Sequence, residues 1–534
     1  MAIVNPPPEG VSGGVSVASG GVMLGVAIGP LGRWWRLDVE PPDGTYALVR
    51  YDADAIELRS DATASRTLWY ALDGRRLVVS TSQRAVVTLL GDFHPNPEAV
   101  TWFVLSGSLG PDAAWDTRVR RLPADARLTL DRRTWRSELV QRPAVFAPEP
   151  APTGEHLARL RDAVDWSCAN LGIDLERWLL PLSGGLNSRS ILAGLRNGGL
   201  SPRCVTWTTR SALRRPLSDA RIARLVARRF GAEHRYAFLD DSIEGLGPAL
   251  ERFVELTDGS SDAFAAYIDG CEMWRDLFDA GVSGVIRGDD PLGARRRVAS
   301  FASARRDADC PLLSDYPEDH LVRRLGLAEQ RWPKGLEPRT GEDLVAYRMR
   351  LTQQVLIAST LAPLTEIKCR YVEVANPLLS RRVIAVGRAF PTELLLYGRG
   401  FAGAIGPTTG PLPYARFTSV PDESSILGDV EVVGAIVRTL ASSAVEGVVS
   451  ERAAMSLLAA LTSPTQARAG VRVRAVAAMK AARVVLPWGV AQRLAPPYRG
   501  PEPLTTLRVA FRVVVAAKAT TLMAADAHRA SEAA

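Results

Sequence analysis

The run Pro181-Leu182-Ser183-Gly184-Gly185-Leu186-Asn187-Ser188-Arg189-Ser190 gathers the residue types with the clearest chemical use in this chain. It follows apolar Trp178-Leu179-Leu180 and precedes Ile191-Leu192-Ala193-Gly194-Leu195, an order that predicts strand, tight glycine turn and helix. Glycines let the backbone turn sharply, and the helix N-terminus offers unpaired N–H groups to an anion. Ser183 and Ser188 add hydroxyl donors, so a phosphate chain fits the loop; taken alone, the same residues also read as a plain glycine turn. No Gly-Lys-Ser/Thr closes the run, which sets it apart from the Walker loop.

Two further stretches carry chemistry. Gly281-Val282-Ser283-Gly284-Val285-Ile286-Arg287-Gly288-Asp289-Asp290-Pro291-Leu292-Gly293 is an apolar strand ending in glycine and two carboxylates. Paired acids at a strand's carboxyl end suit magnesium, a hard cation that takes carboxylate and phosphate oxygens. Tyr371-Val372-Glu373-Val374-Ala375-Asn376-Pro377-Leu378-Leu379-Ser380 sets Glu373 in an apolar segment, either beside a reacting group or as a buried helix cap.

These motifs need elements to position them. Residues 10 to 140 alternate short apolar runs with Gly, Asp and Pro turns, a β-rich pattern with one helix over Pro97 to Ser106. Pro-rich residues 142 to 153 mark a linker. From Gly154, long helices alternate with single apolar strands, the signature of a parallel α/β sheet. Beyond residue 430 the chain reads as helical and rich in Ala and Arg. The boundaries are therefore 1–145, 154–430 and 431–534.

Composition bounds the rest. With 534 residues, 47% hydrophobic and 23% charged, the chain has length for two or three domains. A net charge of +7 attracts nucleotides or acidic peptides only weakly at this size. The basic cluster Arg295-Arg296-Arg297 is too small to argue a nucleic-acid partner. Cys168, Cys204, Cys271, Cys310 and Cys369 form no CxxC pair, which speaks against a zinc site or disulfide framework. No signal peptide or membrane span is read, so a cytoplasmic protein is expected. Apolar Leu507 to Ala525 carries Arg508, Arg512 and Lys518, which predicts an amphipathic or buried helix.

The first loop resembles the Ser-Gly-Gly-Leu-Asp-Ser loop of the asparagine-synthetase-like ATP pyrophosphatases, enzymes that cleave ATP to AMP and pyrophosphate and form amides through an acyl-adenylate. The order Arg203 to Thr208, an Asp219-led helix, and Gly231-Ala232-Glu233-His234 is similar to that family, as are Gly288-Asp289-Asp290 and the Glu373 segment. The resemblance covers residues 20 to 420. It implies an α/β fold: an N-terminal glutaminase-like (Ntn-type) β-sandwich with helices, then a parallel-sheet synthetase domain of the adenine-nucleotide α-hydrolase type. It implies ATP contacts from Leu182, Ser183, Gly184, Gly185, Asn187, Ser188, Thr206 and Gly288, magnesium held by Asn187 and Asp289, and catalytic roles for Glu373 and Tyr347.

Departures from the family are plain. Position 2 is Ala2, where active glutaminases carry a cysteine, so glutamine hydrolysis is not expected. Asn187 stands for the magnesium-binding Asp, Ala375 for Arg and Ser380 for Asp. No lysine lies between Lys368 and Lys480 to stabilise adenylation, leaving Arg399 or Arg416 as substitutes. Within the family the chain looks most like lasso-peptide macrolactam synthetases. That implies a precursor peptide with an acidic side chain, a leader peptidase and a leader-binding protein as partners, and neither nucleic acid nor membrane. Asparagine synthesis from aspartate, and a non-catalytic descendant that binds a peptide or partner, are the alternatives.

Overall fold

The computed structural model describes residues 14–534 except 75, 242–244, 293–296, 317–318, 421–422, 463–503 and 534. Ala2, Gly293 and the Arg295-Arg296 pair lie outside the described residues.

The first part of the chain forms β1 (Val15–Ala18), β2 (Gly21–Ile28), β3 (Asp43–Tyr51), β4 (Ala55–Ser60), β5 (Trp69–Asp73), β6 (Arg76–Ser80), β7 (Arg120–Arg121), β8 (Ala126–Asp131) and β9 (Ser137–Gln141). They build two antiparallel sheets, ordered β1-β2-β3-β4-β8-β9 and β6-β5-β7. Period-two alternation divides β3 between two cores. Ala47 faces the second sheet with Leu58, Tyr70 and Leu128, while Tyr46 and Leu48 pack with Met23 under Trp34. Helix Pro97–Ser106 lies where the sequence predicts it. Asn96 caps it by accepting from the Glu98 N–H, Pro97 fits its first turn, and Gly107 ends it at φ 79°.

The linker runs extended along helix Arg381–Arg388, with Ala147 and Glu149 donating N–H groups to the carbonyls of Arg388 and Ala389. Beyond it a second sheet forms from β10 (Trp178–Pro181), β11 (Arg203–Thr208), β12 (His234–Phe238), β13 (Gly284–Ile286) and β14 (Glu373–Ala375). All its pairs are parallel, in the order β12-β11-β10-β13-β14. The order runs one way from β10 to β12 and the other from β13 to β14, so it reverses between β10 and β13. That switch point opens a crevice at the carboxyl ends of these two strands.

The C-terminal helix Thr506–Ala533 is not peripheral. Val509 to Phe511, Val513 to Ala517 and Ala519 are fully buried. It packs on helices Gln83–Leu90 and Pro97–Ser106 of the first part and on Leu246–Leu256 and Val430–Leu440 of the second. Gly259 meets it so closely that a Cβ there would lie 2.2 Å from the Ala519 Cβ. Arg512, 5% exposed, donates to the carbonyls of Val104 (3.0 Å) and Leu105 (2.7 Å) and pairs with Asp262 at 2.7 Å. One guanidinium thus supplies donors to the last turn of one helix and a counter-ion to a carboxylate packed on Gly107. Among the described residues no helix is long and apolar enough to cross a membrane, and all five cysteines are free thiols.

Replacing Arg512 with Met leaves Asp262 without its cation and two helix-end carbonyls without donors. The expected cost is about 3 kcal/mol, read as a lower urea midpoint by tryptophan fluorescence. The double variant Arg512→Met with Asp262→Ala should recover part of that loss, because it also removes the stranded charge.

Candidate functional site

The glycine loop leaves β10 at the switch point and enters helix Asn187–Asn197. Its turn is held from within. Ser183 N–H donates to Ser188 Oγ at 2.9 Å, the two hydroxyls lie 2.8 Å apart, and Gly185 N–H donates to Ser183 Oγ at 3.1 Å. Gly184 has no room for a Cβ, which would sit 2.7 Å from Ile222 Cβ and 2.8 Å from Ala415 Cβ. Its N–H donates to Asp219 Oδ1 at 2.8 Å. Burial pushes the Asp219 carboxyl up, and the Gly184 N–H opposes that shift. Ser218, not Asp219, caps helix Asp219–Arg229, which frees Asp219 for the loop. Leu186 holds the N-cap position of helix Asn187–Asn197 and makes no side-chain cap. The first-turn N–H groups therefore face the crevice without an acceptor from that residue.

The second loop closes on the first. A Cβ on Gly288 would lie 2.9 Å from Ile191 Cδ1, 3.1 Å from the Asn187 carbonyl carbon and 3.2 Å from Asn187 Cβ. Gly288 and Asn187 are thus in contact. Asp289, 9% exposed, is held by two neighbours. Asn376 accepts its N–H at 3.1 Å and donates to Oδ2 at 2.6 Å, and Arg287 donates to Oδ1 at 3.0 Å. Among the described residues no three His, Cys, Asp or Glu side chains are arranged around a metal position. Asp289 and the Asn187 amide are a donor set suited to a magnesium ion carried chiefly by phosphate and water oxygens.

Leu182 is buried at the end of β10, and its carbonyl accepts from the Thr206 hydroxyl at 2.5 Å. Thr206 Oγ1 also lies 2.8 Å from His234 Nε2. The hydroxyl's single proton goes to Leu182, so His234 Nε2 carries a proton and donates. Burial, with Arg224 adding, pushes the imidazole down to about 4, so the ring is neutral at pH 7. Thr206 and His234 brace three adjacent strands.

The two predicted catalytic residues stand apart from these loops. Glu373 opens β14 level with Gly284, at the amino end of β13. Its Oε1 accepts from Arg66 at 2.7 Å and from the Val374 N–H at 2.9 Å, and the Cys369 thiol lies 3.5 Å away. Arg66 comes from the first part of the chain and also binds Glu366 at 2.9 Å. Tyr347 is fully buried on helix Leu344–Leu351, edge-on to Phe301 at 5.1 Å, with Arg350 5.3 Å from its ring centroid. Burial pushes its phenol up to about 12. Ser380 caps helix Arg381–Arg388 and meets Ser167 at 2.8 Å. Of the two arginines, Arg416 follows Ala415, whose N–H donates to the Gly184 carbonyl at 3.0 Å, so it flanks the loop; Arg399 lies over Tyr397 at 5.5 Å.

Asp219, Asn376 and Arg66 were not singled out for these roles from sequence. The Asp-led helix was visible, but its tie to Gly184 spans 35 residues and the Asn376–Asp289 pair spans 87. No protein-family model matches the chain, and no curated protein matches it.

The His234 environment gives a pH prediction. Its folded value lies below its ordinary 6.5, so its contribution to stability is complete above pH 6.5 and is lost as pH falls toward 4. The loss is at most about 3 kcal/mol. In His234→Gln, which keeps a donor for Thr206, the drop in urea midpoint between pH 7 and pH 4.5 should shrink.

Proposed function

We propose that this chain is an ATP-dependent amide-bond synthetase that releases AMP and pyrophosphate. On this reading a glutaminase-like sandwich without a nucleophilic cysteine precedes a synthetase domain of the adenine-nucleotide α-hydrolase type. The supporting observation is the uncapped N-terminus of helix Asn187–Asn197, opening between β10 and β13 where Gly288 brings the second loop onto Asn187. A phosphate chain there receives backbone N–H groups, and Asn187 with Asp289 supplies oxygens for magnesium.

The substrate carboxylate attacks the α-phosphorus of ATP and expels pyrophosphate. An amine then attacks the acyl-adenylate and AMP leaves, with net loss of water from acid and amine. The carboxylate of this proposal is an Asp or Glu side chain of a precursor peptide, and the amine is that peptide's freed N-terminus, closing a lasso-type macrolactam. Holding both ends in one complex supplies the proximity such a ring closure needs. A leader peptidase and a leader-binding protein complete the chemistry, in the cytoplasm where ATP is held.

A second reading, a non-catalytic synthetase fold that binds a peptide, draws support from Asp289. Its carboxylate already faces the Arg287 guanidinium, and Asn187 brings no charge.

The test is magnesium-dependent release of AMP and pyrophosphate, with aspartate plus ammonia in one tube and an acidic core peptide plus partner proteins in the other. AMP with the peptide, and a product lighter by one water, is the expected result. AMP with aspartate alone means asparagine synthesis, and no AMP from folded protein means the binding protein. Asn187→Asp should lower the magnesium concentration that gives half-maximal AMP release by about tenfold, an added carboxylate ligand contributing roughly one decade; an unchanged requirement removes Asn187 as a ligand.

A further inference from the structure

A cleft between the two antiparallel sheets has a volume of about 1430 Å³. Small-molecule sites run to roughly 1,000 Å³, so this space suits a longer occupant. In a closed sandwich, inward-facing residues of the two sheets interdigitate. Here they do so at one end, around Leu58, Tyr70 and Leu128. At the other end Val22, Leu24, Val49 and Ile56 of the larger sheet and Leu77 and Val79 of β6 line the cleft and are only partly buried.

The cleft also borders a strand edge. Among the described residues β6 pairs with β5 alone, so it is the edge of its sheet. All of Arg76 to Ser80 line the cleft, from both pleat faces, which turns the strand's unpaired N–H and C=O groups toward it. Hydroxyls of Thr67, Ser80 and Thr81 add groups that both donate and accept. At the end shared with the second part of the chain, the carboxylates of Glu366, Glu373, Asp258 and Asp526 line the cleft with the guanidinium groups of Arg66, Arg370 and Arg84. That end carries four carboxylates to three guanidinium groups and favours a cation.

We propose that this cleft binds an extended peptide as an added strand along the free edge of β6, with alternate apolar side chains between the sheets and a basic residue toward Glu366 and Glu373. Main-chain pairing supplies affinity, and the apolar walls with the acidic end supply selection. The sandwich then serves as the peptide-holding part of the molecule. The peptide's being the substrate rests on the synthetase reading; its binding does not.

The test is fluorescence anisotropy on the full chain without ATP. The probe is dye-labelled acetyl-Lys-Val-Thr-Val-Thr-Val-amide, compared with a twin N-methylated on alternate backbone amides and a twin with Glu for Lys. Losing two or three backbone hydrogen bonds should weaken the N-methylated twin by about tenfold or more, and the Glu twin should weaken by about threefold or more. Val22→Trp on one wall and Leu77→Trp on the other fill the cleft, and each should abolish binding; unfolding temperatures identify the variant that stays folded. Binding with the predicted order, lost in a folded filled variant, supports the proposal. Equal binding of the N-methylated twin, equal binding of the Glu twin, undiminished binding in folded filled variants, or no binding by the wild-type chain each overturns it. Binding seen only after removal of the residues before Gly14 overturns it too, since the chain's own N-terminus is then the occupant. Without ATP, loss of peptide binding leaves the synthetase reading standing, and absence of AMP release leaves this one standing.

Discussion

Gly288 cannot be any other residue without moving the sheet's two central loops apart. A Cβ there would meet Ile191 at 2.9 Å and the Asn187 backbone at 3.1 Å. Both separations are below ordinary contact, and the nearest backbone atom belongs to the helix that would receive an anion. This approach makes two loops, about a hundred residues apart in sequence, into one crevice. Gly184 does the same on the other side, where the absence of a Cβ admits Ile222 and Ala415. The loop is gripped between two elements, and its serines and Asp219 fix the turn from inside and beneath. A rigid turn at the start of the helix follows from packing, not from the glycines' flexibility.

The two parts of the chain are bound by charge as well as by apolar contact. Arg66 reaches from the sandwich to Glu366 and Glu373, and Arg381 reaches back to Asp125 at 2.7 Å. Around them one large hydrophobic core takes residues from both parts, and the C-terminal helix runs through it. Arg512 on that helix joins a helix end of the sandwich to Asp262 of the second part. A charge so enclosed is tolerable because it faces a carboxylate and its Nε and Nη1 groups find acceptors.

Much of this was legible in the sequence, for physical reasons. Trp178 to Leu180 and Gly284 to Ile286 read as strands because short apolar runs ended in glycine-rich turns, and both lie in the parallel sheet. Asn96-Pro97 and Gly107 announced a helix with both ends marked. Buried Leu507 to Ala525 was visible as a helix, but not as the center of the molecule, because no periodicity tells which partners a helix will meet. Glu373 and Tyr347 stand out only through resemblance, and the fold sets one against Arg66 and the other beside Phe301. Sequence neighbours such as Val374 and Asn376 do not reveal the first of these contacts; Arg66 comes from 307 residues away. The cleft was invisible too, since Val22 and Leu77 have the same character whether they close a core or line an opening.

The proposed chemistry requires that the helix beginning at Asn187 receive the phosphates of a nucleotide. Titration calorimetry of the full chain with ATP and magnesium, on the wild type and on Leu186→Asp, tests that directly. An aspartate at the N-cap would accept the same N–H groups and repel the phosphates. Binding by the wild type, lost in a Leu186→Asp protein that keeps its unfolding temperature, is the predicted result. Equal binding by both, or none by the wild type, would contradict it.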